Sequence, residues 1–325
     1  MKIAFLHGPA QFFSEILSDL RAKLPQHELI SWAPGENSPD RDIEVLLVQG
    51  EVTRALMADQ RKLALIHTVT AGYEGIDIDA ATDLGIWVSF SPSGVTGNAT
   101  SVAECAVLLM LGASRHINQI VCLRDHSADT GTNPAMSGKT VCIVGLGGIG
   151  RLLVDHLRPF GMRILATDPH PERAPDDVKA FSSDQLHAAV AEADYVVVCA
   201  RAGKDNENLI NRTTMQAMKR GAILINIARG SLIDEDALYD CVKSGQISAA
   251  GLDVLKTAPG DFKSPLFDLP QILITPHIAA ATDLALHGTV DYIKQVIEEF
   301  AAGEKPESVV NAPAQPRRAL GVSRQ

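Results

Sequence analysis

Short, nearly continuous apolar runs recur along the chain at residues 2–6, 45–48, 63–68, 86–88, 140–144, 163–166, 195–199, 222–227, 249–252 and 272–274. Amphipathic stretches of helical period lie between them. Strands apolar on both faces that alternate with helices predict parallel sheets covered on both sides. The runs fall into two series, before and after about residue 100. A chain of 325 residues is too long for one ordinary core, so two α/β domains are predicted.

The joint follows the run at 86–88. Residues 89–101, SFSPSGVTGNATS, are rich in Ser, Pro and Gly and read as a loop. Residues 101–120 are strongly apolar and long enough to cross a bilayer. Glu104, Arg115 and the small residues among them argue instead for one buried connecting helix. From Ala312 onward no apolar period is visible, and the end of the chain reads as a loose tail.

Composition narrows the partners. Hydrophobic residues make up 46% and charged residues 21%, as in packed globular domains. A net charge of −10 with no basic run excludes a nucleic-acid or anionic-membrane surface as the expected partner. An anionic ligand would then need a local positive site. The five cysteines form no CxxC pair and read as reduced thiols of a cytoplasmic protein. The apolar stretch in MKIAFLHGPA is too short for a signal-peptide core. No HExxH pattern occurs, and no metal site is expected.

The most informative local motif runs from 140 to 168. A strand leads into Gly145-Leu146-Gly147-Gly148-Ile149-Gly150, a helix follows, and a second strand ends at Asp168. Gly145 permits a tight turn, Gly147 lets the backbone approach a pyrophosphate, and Gly150 lets helix and strand pack closely. The helix N-terminus offers unpaired N–H groups to phosphates. Ile149, Leu152, Leu153, His156 and Leu157 are expected on one side of that helix. Asp168, 18 residues after Gly150, can accept from a ribose diol and would repel a 2′-phosphate. NAD is therefore the expected cofactor, with NADP the alternative because His170 and Arg173 lie close by.

Three further segments place reactive groups at strand ends. Arg229 follows the run at 222–227, and an Arg can grip a carboxylate with two parallel hydrogen bonds. Asp253 follows 249–252, and His277 follows 272–274 after a proline. Singly, these read as a surface ion-pair partner, a helix cap and a loop histidine.

Together and in this order they resemble the D-isomer-specific 2-hydroxyacid dehydrogenase family. The resemblance spans about residues 45–300 and rests on HTVTAGYEGIDIDAATDLGI (67–86), NATSVAE (98–104), GLGGIG (145–150), NIARG (226–230), GLDV (251–254) and TPHIA (275–279). It implies a Rossmann-type nucleotide domain, residues 100–280, inserted into a flavodoxin-like substrate domain of residues 1–99 and 281–325, both doubly wound parallel sheets. It also implies a homodimer acting on a small 2-oxo or 2-hydroxy acid. Arg229 would bind the substrate carboxylate and polarise the carbonyl, and His277 would be general acid or base. Backbone amides of Thr70, Ala71 and Gly72 would hold the carboxylate. Thr100, Cys199, Ala200, Arg201, Ala228, His277 and Ala280 would line the cofactor, with Asp253 on the nicotinamide carboxamide.

The chain departs from the family pattern at three places. Ala258 stands where a Glu usually follows GLDV; Asp261 is the nearest replacement. Cys105 stands where many members have His, and Arg201-Ala202-Gly203 replaces a Pro-Leu-Thr-like turn. A carboxylate beside His277 would raise its pKa and fix its tautomer. Its loss leaves three readings open: a working reductase, a formate-like dehydrogenase needing no proton transfer, and an NAD-binding regulatory or weakly active protein. Gln49–Glu51 and Tyr73 are expected to shape the substrate side-chain pocket, with Glu51 disfavouring a phosphate.

Overall fold

The computed structural model describes residues 1–121, 132–257 and 263–321. The chain forms two compact units, Met1–Asn98 with Ala281–Gln325, and Ala99–Ala280.

The first unit opens with β1 (Lys2–Leu6), α1 (Gln11–Lys23), β2 (Glu28–Trp32), β3 (Val45–Val48), α2 (Arg54–Asp59), β4 (Leu65–Thr68), α3 (Ile78–Asp83) and β5 (Trp87–Phe90). The strands pair in parallel in the order β2-β1-β3-β4-β5, the flavodoxin-like order. β3 and β4 are buried along their whole length, which accounts for their unbroken apolar sequence. The edge strand β2, ELISW, is partly exposed and carries no continuous apolar run, so periodicity alone does not reveal it.

The second unit begins with α4 (Asn98–Ser114), whose first residue closes the preceding segment, and α5 (Ile117–Val121). Then follow β6 (Thr140–Val144), α6 (Gly148–Leu157), β7 (Arg163–Thr167), β8 (Lys179–Phe181), α7 (Leu186–Ala191) and β9 (Tyr195–Val198). The remainder is α8 (Arg212–Ala217), β10 (Ala222–Asn226), α9 (Glu235–Lys243), β11 (Ile247–Leu252) and β12 (Ile272–Ile274). The seven parallel strands lie in the order β12-β11-β10-β9-β6-β7-β8. Winding proceeds outward in both directions from β6, which is the doubly wound Rossmann arrangement. The sheet separates two apolar clusters, one including Val196, Leu224 and Leu238, the other Leu109, Ile143 and Leu153.

The single connecting helix expected is not what forms. The apolar stretch 101–120 is not one helix: α4 ends at Ser114, and His116, at φ +48°, turns the chain into α5. α4 lies directly on the sheet, since a Cβ on Gly251 would approach Leu109 Cβ to 2.9 Å and one on Gly112 would approach Leu273 Cδ2 to 2.7 Å. On α6, Leu153 and Leu157 are buried in one cluster and Ile149 and Leu152 pack half-buried against it, on the one side expected; His156 is half-buried. No helix among the described residues is long and apolar enough to cross a membrane.

The chain returns to the first unit with α10 (Asp283–Ala302), which starts at Thr282 accepting from Ala285 N and stops at Gly303, φ +82°. Its Ile293, Ile297 and Phe300 share a cluster with Ile16 and Leu20 of α1. The described part of the tail is tied down, contrary to the loose end expected. Arg317 donates to the carbonyls of Gln60 (2.6 Å) and Leu63 (3.1 Å), and the Trp87 indole donates to the carbonyl of Arg318 (2.9 Å). These anchors are polar contacts to backbone, so no apolar period announces them.

Candidate active site

The glycine-rich turn joins β6 to α6. Gly145 has φ +102°, and a Cβ there would lie 2.8 Å from the backbone of Ala200. A Cβ on Gly150 would meet the carbonyl oxygen of Gly145 at 2.1 Å, so helix and turn are in direct contact. At Gly147 and Gly148 nothing lies within 4 Å of the Cβ position. The turn is therefore closed against its own unit at two glycines and open at the two that begin the helix.

Asp168 stands just beyond β7. Its Oδ2 accepts from Leu146 N at 2.8 Å and its Oδ1 from His170 N at 2.9 Å. The carboxylate thus fixes the glycine turn from the end of β7. Open space over Gly147 and Gly148, the amide-rich start of α6 and an acceptor at the end of β7 fit a dinucleotide. Cys199 follows β9, and burial pushes its thiol pKa up to about 12. Ala200 lies against Gly145, while the carbonyl of Arg201 accepts from Asn206 Nδ2 at 2.8 Å. Thr100 lies in the first turn of α4, and Ala280 packs on the cluster beneath the sheet.

The second group sits at the carboxyl ends of β10, β11 and β12, which are neighbours in the sheet. Asn226, fully buried, braces Arg229 from both sides. Its Nδ2 donates to the Arg229 carbonyl at 2.9 Å, and its Oδ1 accepts from Ala228 N at 3.0 Å. Arg229 itself is exposed and donates to the Ala228 carbonyl at 2.9 Å. Gly230 is obligatory, because a Cβ would meet the carbonyl of Leu255 at 2.1 Å.

Asp253 is buried, and its carboxylate organises the turn that carries His277. Oδ1 accepts from Thr275 Oγ1 (2.7 Å) and Ile278 N (2.9 Å), and Oδ2 accepts from Ala279 N (3.0 Å). His277 takes φ +57°, a left-handed conformation that costs energy for a non-glycine residue. The ring is open to solvent on one side. Burial of the rest lowers its pKa; the Asp253 charge raises it and the Arg229 charge lowers it further. Asp253 and Arg229 are thus each within electrostatic reach of His277. Among the described residues no side chain hydrogen-bonds the His277 ring. Ala258 and Asp261 lie outside the described residues.

Sequence reasoning passed over Asn226 and Thr275. Both stand inside the quoted NIARG and TPHIA segments, and a polar residue ending an apolar strand is the signal that marks them. In the other unit, Thr70, Ala71 and Gly72 follow β4, and Thr70 Oγ1 donates to the Gly72 carbonyl at 3.2 Å.

A family model described as D-isomer specific 2-hydroxyacid dehydrogenase, NAD binding domain, matches residues 107–279. D-3-phosphoglycerate dehydrogenase of Methanocaldococcus jannaschii is 34% identical over 287 residues, covering 86% of this chain and 54% of that protein. The chain thus spans about half the length of such relatives. Glyoxylate reductase of Thermococcus litoralis is 34% identical over 282 residues, 83% of each chain. The D-lactate dehydrogenase of Aquifex aeolicus, solved with NAD and lactic acid, superposes with a TM-score of 0.81 at 24% identity, covering 96% of this chain and all of that one.

Proposed function

The chain belongs to the D-isomer-specific 2-hydroxyacid dehydrogenase family, and from that premise we propose that it interconverts a small 2-oxo acid and its D-2-hydroxy acid. The cofactor is NAD. When bound, its nicotinamide supplies hydride transfer to and from the substrate carbon.

The chain's own groups do the rest. Amides of the 145–150 turn would hold the pyrophosphate, and Asp168, which anchors that turn through Leu146 N, would accept from the ribose and repel a 2′-phosphate. Arg229 binds the substrate carboxylate and polarises the carbonyl. His277 delivers the proton to the carbonyl oxygen in reduction and removes it in oxidation. Asn226 and Asp253 set the backbone that aims these two side chains.

What supports the reading is the placement of a guanidinium and an imidazole beyond the ends of β10 and β12 in one sheet, with the buried Asp253 at the end of β11 between them. A nucleotide-binding protein has no chemical need for that pair. The test is NADH oxidation with glyoxylate, pyruvate, hydroxypyruvate and bulkier 2-oxo acids. Turnover supports the assignment. Tight NADH binding without turnover would instead favour the formate-like or NAD-binding reading that Ala258 suggests.

A further inference from the structure

The five-stranded sheet reverses its winding between β1 and β3, since β2 lies outside β1 and β4 outside β3. In such sheets ligands bind beyond the carboxyl ends of the strands at this reversal. Here those ends are His7-Gly8 and Gln49-Gly50-Glu51. They are adjacent: a Cβ on Gly8 would lie 4.0 Å from Gln49 Oε1.

The loop holding Glu51 is fixed in place. Gly50 turns at φ +131°. Val52 N donates to the Gly75 carbonyl at 2.9 Å, Asp77 N donates to the Val52 carbonyl at 3.3 Å, and a Cβ on Gly75 would approach the Gly50 carbonyl oxygen to 2.6 Å. Glu51 remains exposed on this clamped loop.

Residues 7–10, 49–53, 69–77 and 91–97 contain no Lys or Arg, and Glu51 is an exposed carboxylate among them. The next basic residue, Arg54, is ion-paired with Asp83. Tyr73 and Phe90 pack ring against ring, centroids 5.4 Å apart, and add an apolar wall.

We infer that the substrate is a 2-oxo acid with a single negative charge and an uncharged side chain, and that Glu51 excludes phosphorylated acids. This inference rests on the proposed function. A phosphate carried on the substrate side chain would meet the Glu51 carboxylate where it requires a cation. The chain thus differs in expected substrate from the phosphoglycerate dehydrogenases it resembles.

The test is calorimetric binding of D-glycerate and 3-phospho-D-glycerate to the full chain saturated with NADH, a combination in which no hydride can move. D-glycerate should bind at least tenfold more tightly. Glu51→Lys should narrow or invert that ratio by tenfold or more, and Glu51→Gln should fall between. Equal or tighter binding of the phosphorylated acid, or a ratio unmoved by Glu51→Lys, overturns the inference. Binding of neither acid overturns both the inference and the proposed function. The expected preference without NADH oxidation by hydroxypyruvate removes the reductase assignment alone.

Discussion

The backbone amide of His277 donates to the backbone carbonyl of Asp253 at 2.9 Å. This bond ties the end of β12 to the end of β11, and the Asp253 carboxylate then holds residues on both sides of the histidine. The strained backbone of His277 is thereby held by its neighbour. Asp253→Ala removes three accepted hydrogen bonds from a buried charged group, each worth roughly 1.5–3 kcal/mol and not additive. We expect a clear loss of thermal stability and at least about a hundredfold loss in kcat/KM. Because the Asp253 charge raises the His277 pKa, the residual activity should also shift toward acid pH. A pH profile identical to that of the unaltered protein would contradict this role.

On the proposed function, His277 would set the pH dependence. Reduction needs the protonated ring, and burial lowers its pKa below the ordinary value. The protonated fraction therefore grows as pH falls through the neutral range, and kcat/KM for 2-oxo acid reduction should rise with it. Oxidation of the D-2-hydroxy acid needs the neutral ring and should show the opposite trend. His277→Gln should lower turnover by roughly 10²–10⁴-fold while NADH binding, read by fluorescence, falls far less. A flat profile in both directions would place the proton transfer elsewhere.

The glycines of the 145–150 turn should separate folding from cofactor binding. Gly147→Ala adds a methyl group into open space, so the melting temperature should hold while NADH affinity falls at least tenfold. Gly150→Ala drives a methyl group onto the Gly145 carbonyl and should cost about 1–3 kcal/mol of stability, measured by denaturant unfolding. Equal effects of the two substitutions on stability would contradict this division.

The two parallel sheets were legible because β3, β4, β6 and β10 are buried end to end and therefore uniformly apolar. The edge strands β2 and β8 escaped because an exposed face needs no apolar run. Gly145, Gly150 and Asp168 could be read in advance because their spacing follows from the turn itself. Asn226 and Thr275 carried only the weak signal of a polar residue ending an apolar strand; Asn226 bonds locally, to Ala228 N and the Arg229 carbonyl, whereas the Thr275 bond to Asp253 is made only by the fold. The anchoring of the tail by Arg317 was hidden for the same reason.

His67 supplies a pH-dependent term in the first unit, far in character from the chemistry of His277. Its ring is fully buried on β4, with Nδ1 2.7 Å from Ser89 Oγ and Nε2 3.0 Å from Ser91 Oγ. Both serines belong to the β5 side of the sheet, so the imidazole joins adjacent strands through two hydroxyls. Burial pushes its pKa down to about 3, so the folded protein holds the ring neutral. In the unfolded chain the ring titrates at about 6.5. The folded pKa lies below the unfolded one, so this contribution is fully present above about pH 6.5 and is lost as pH falls toward 3. At about pH 5 the loss should be roughly 2 kcal/mol. Both tryptophans, Trp32 and Trp87, lie in this unit, so their fluorescence during urea unfolding reports on it alone. His67→Leu should lower stability near neutral pH, because the serine hydroxyls lose their partner, yet show a weaker decline on acidification. The stability gap between the two proteins should narrow by about 2 kcal/mol between neutral pH and about pH 5. A gap that stays constant would mean that His67 carries a proton in the folded state or titrates alike in both states.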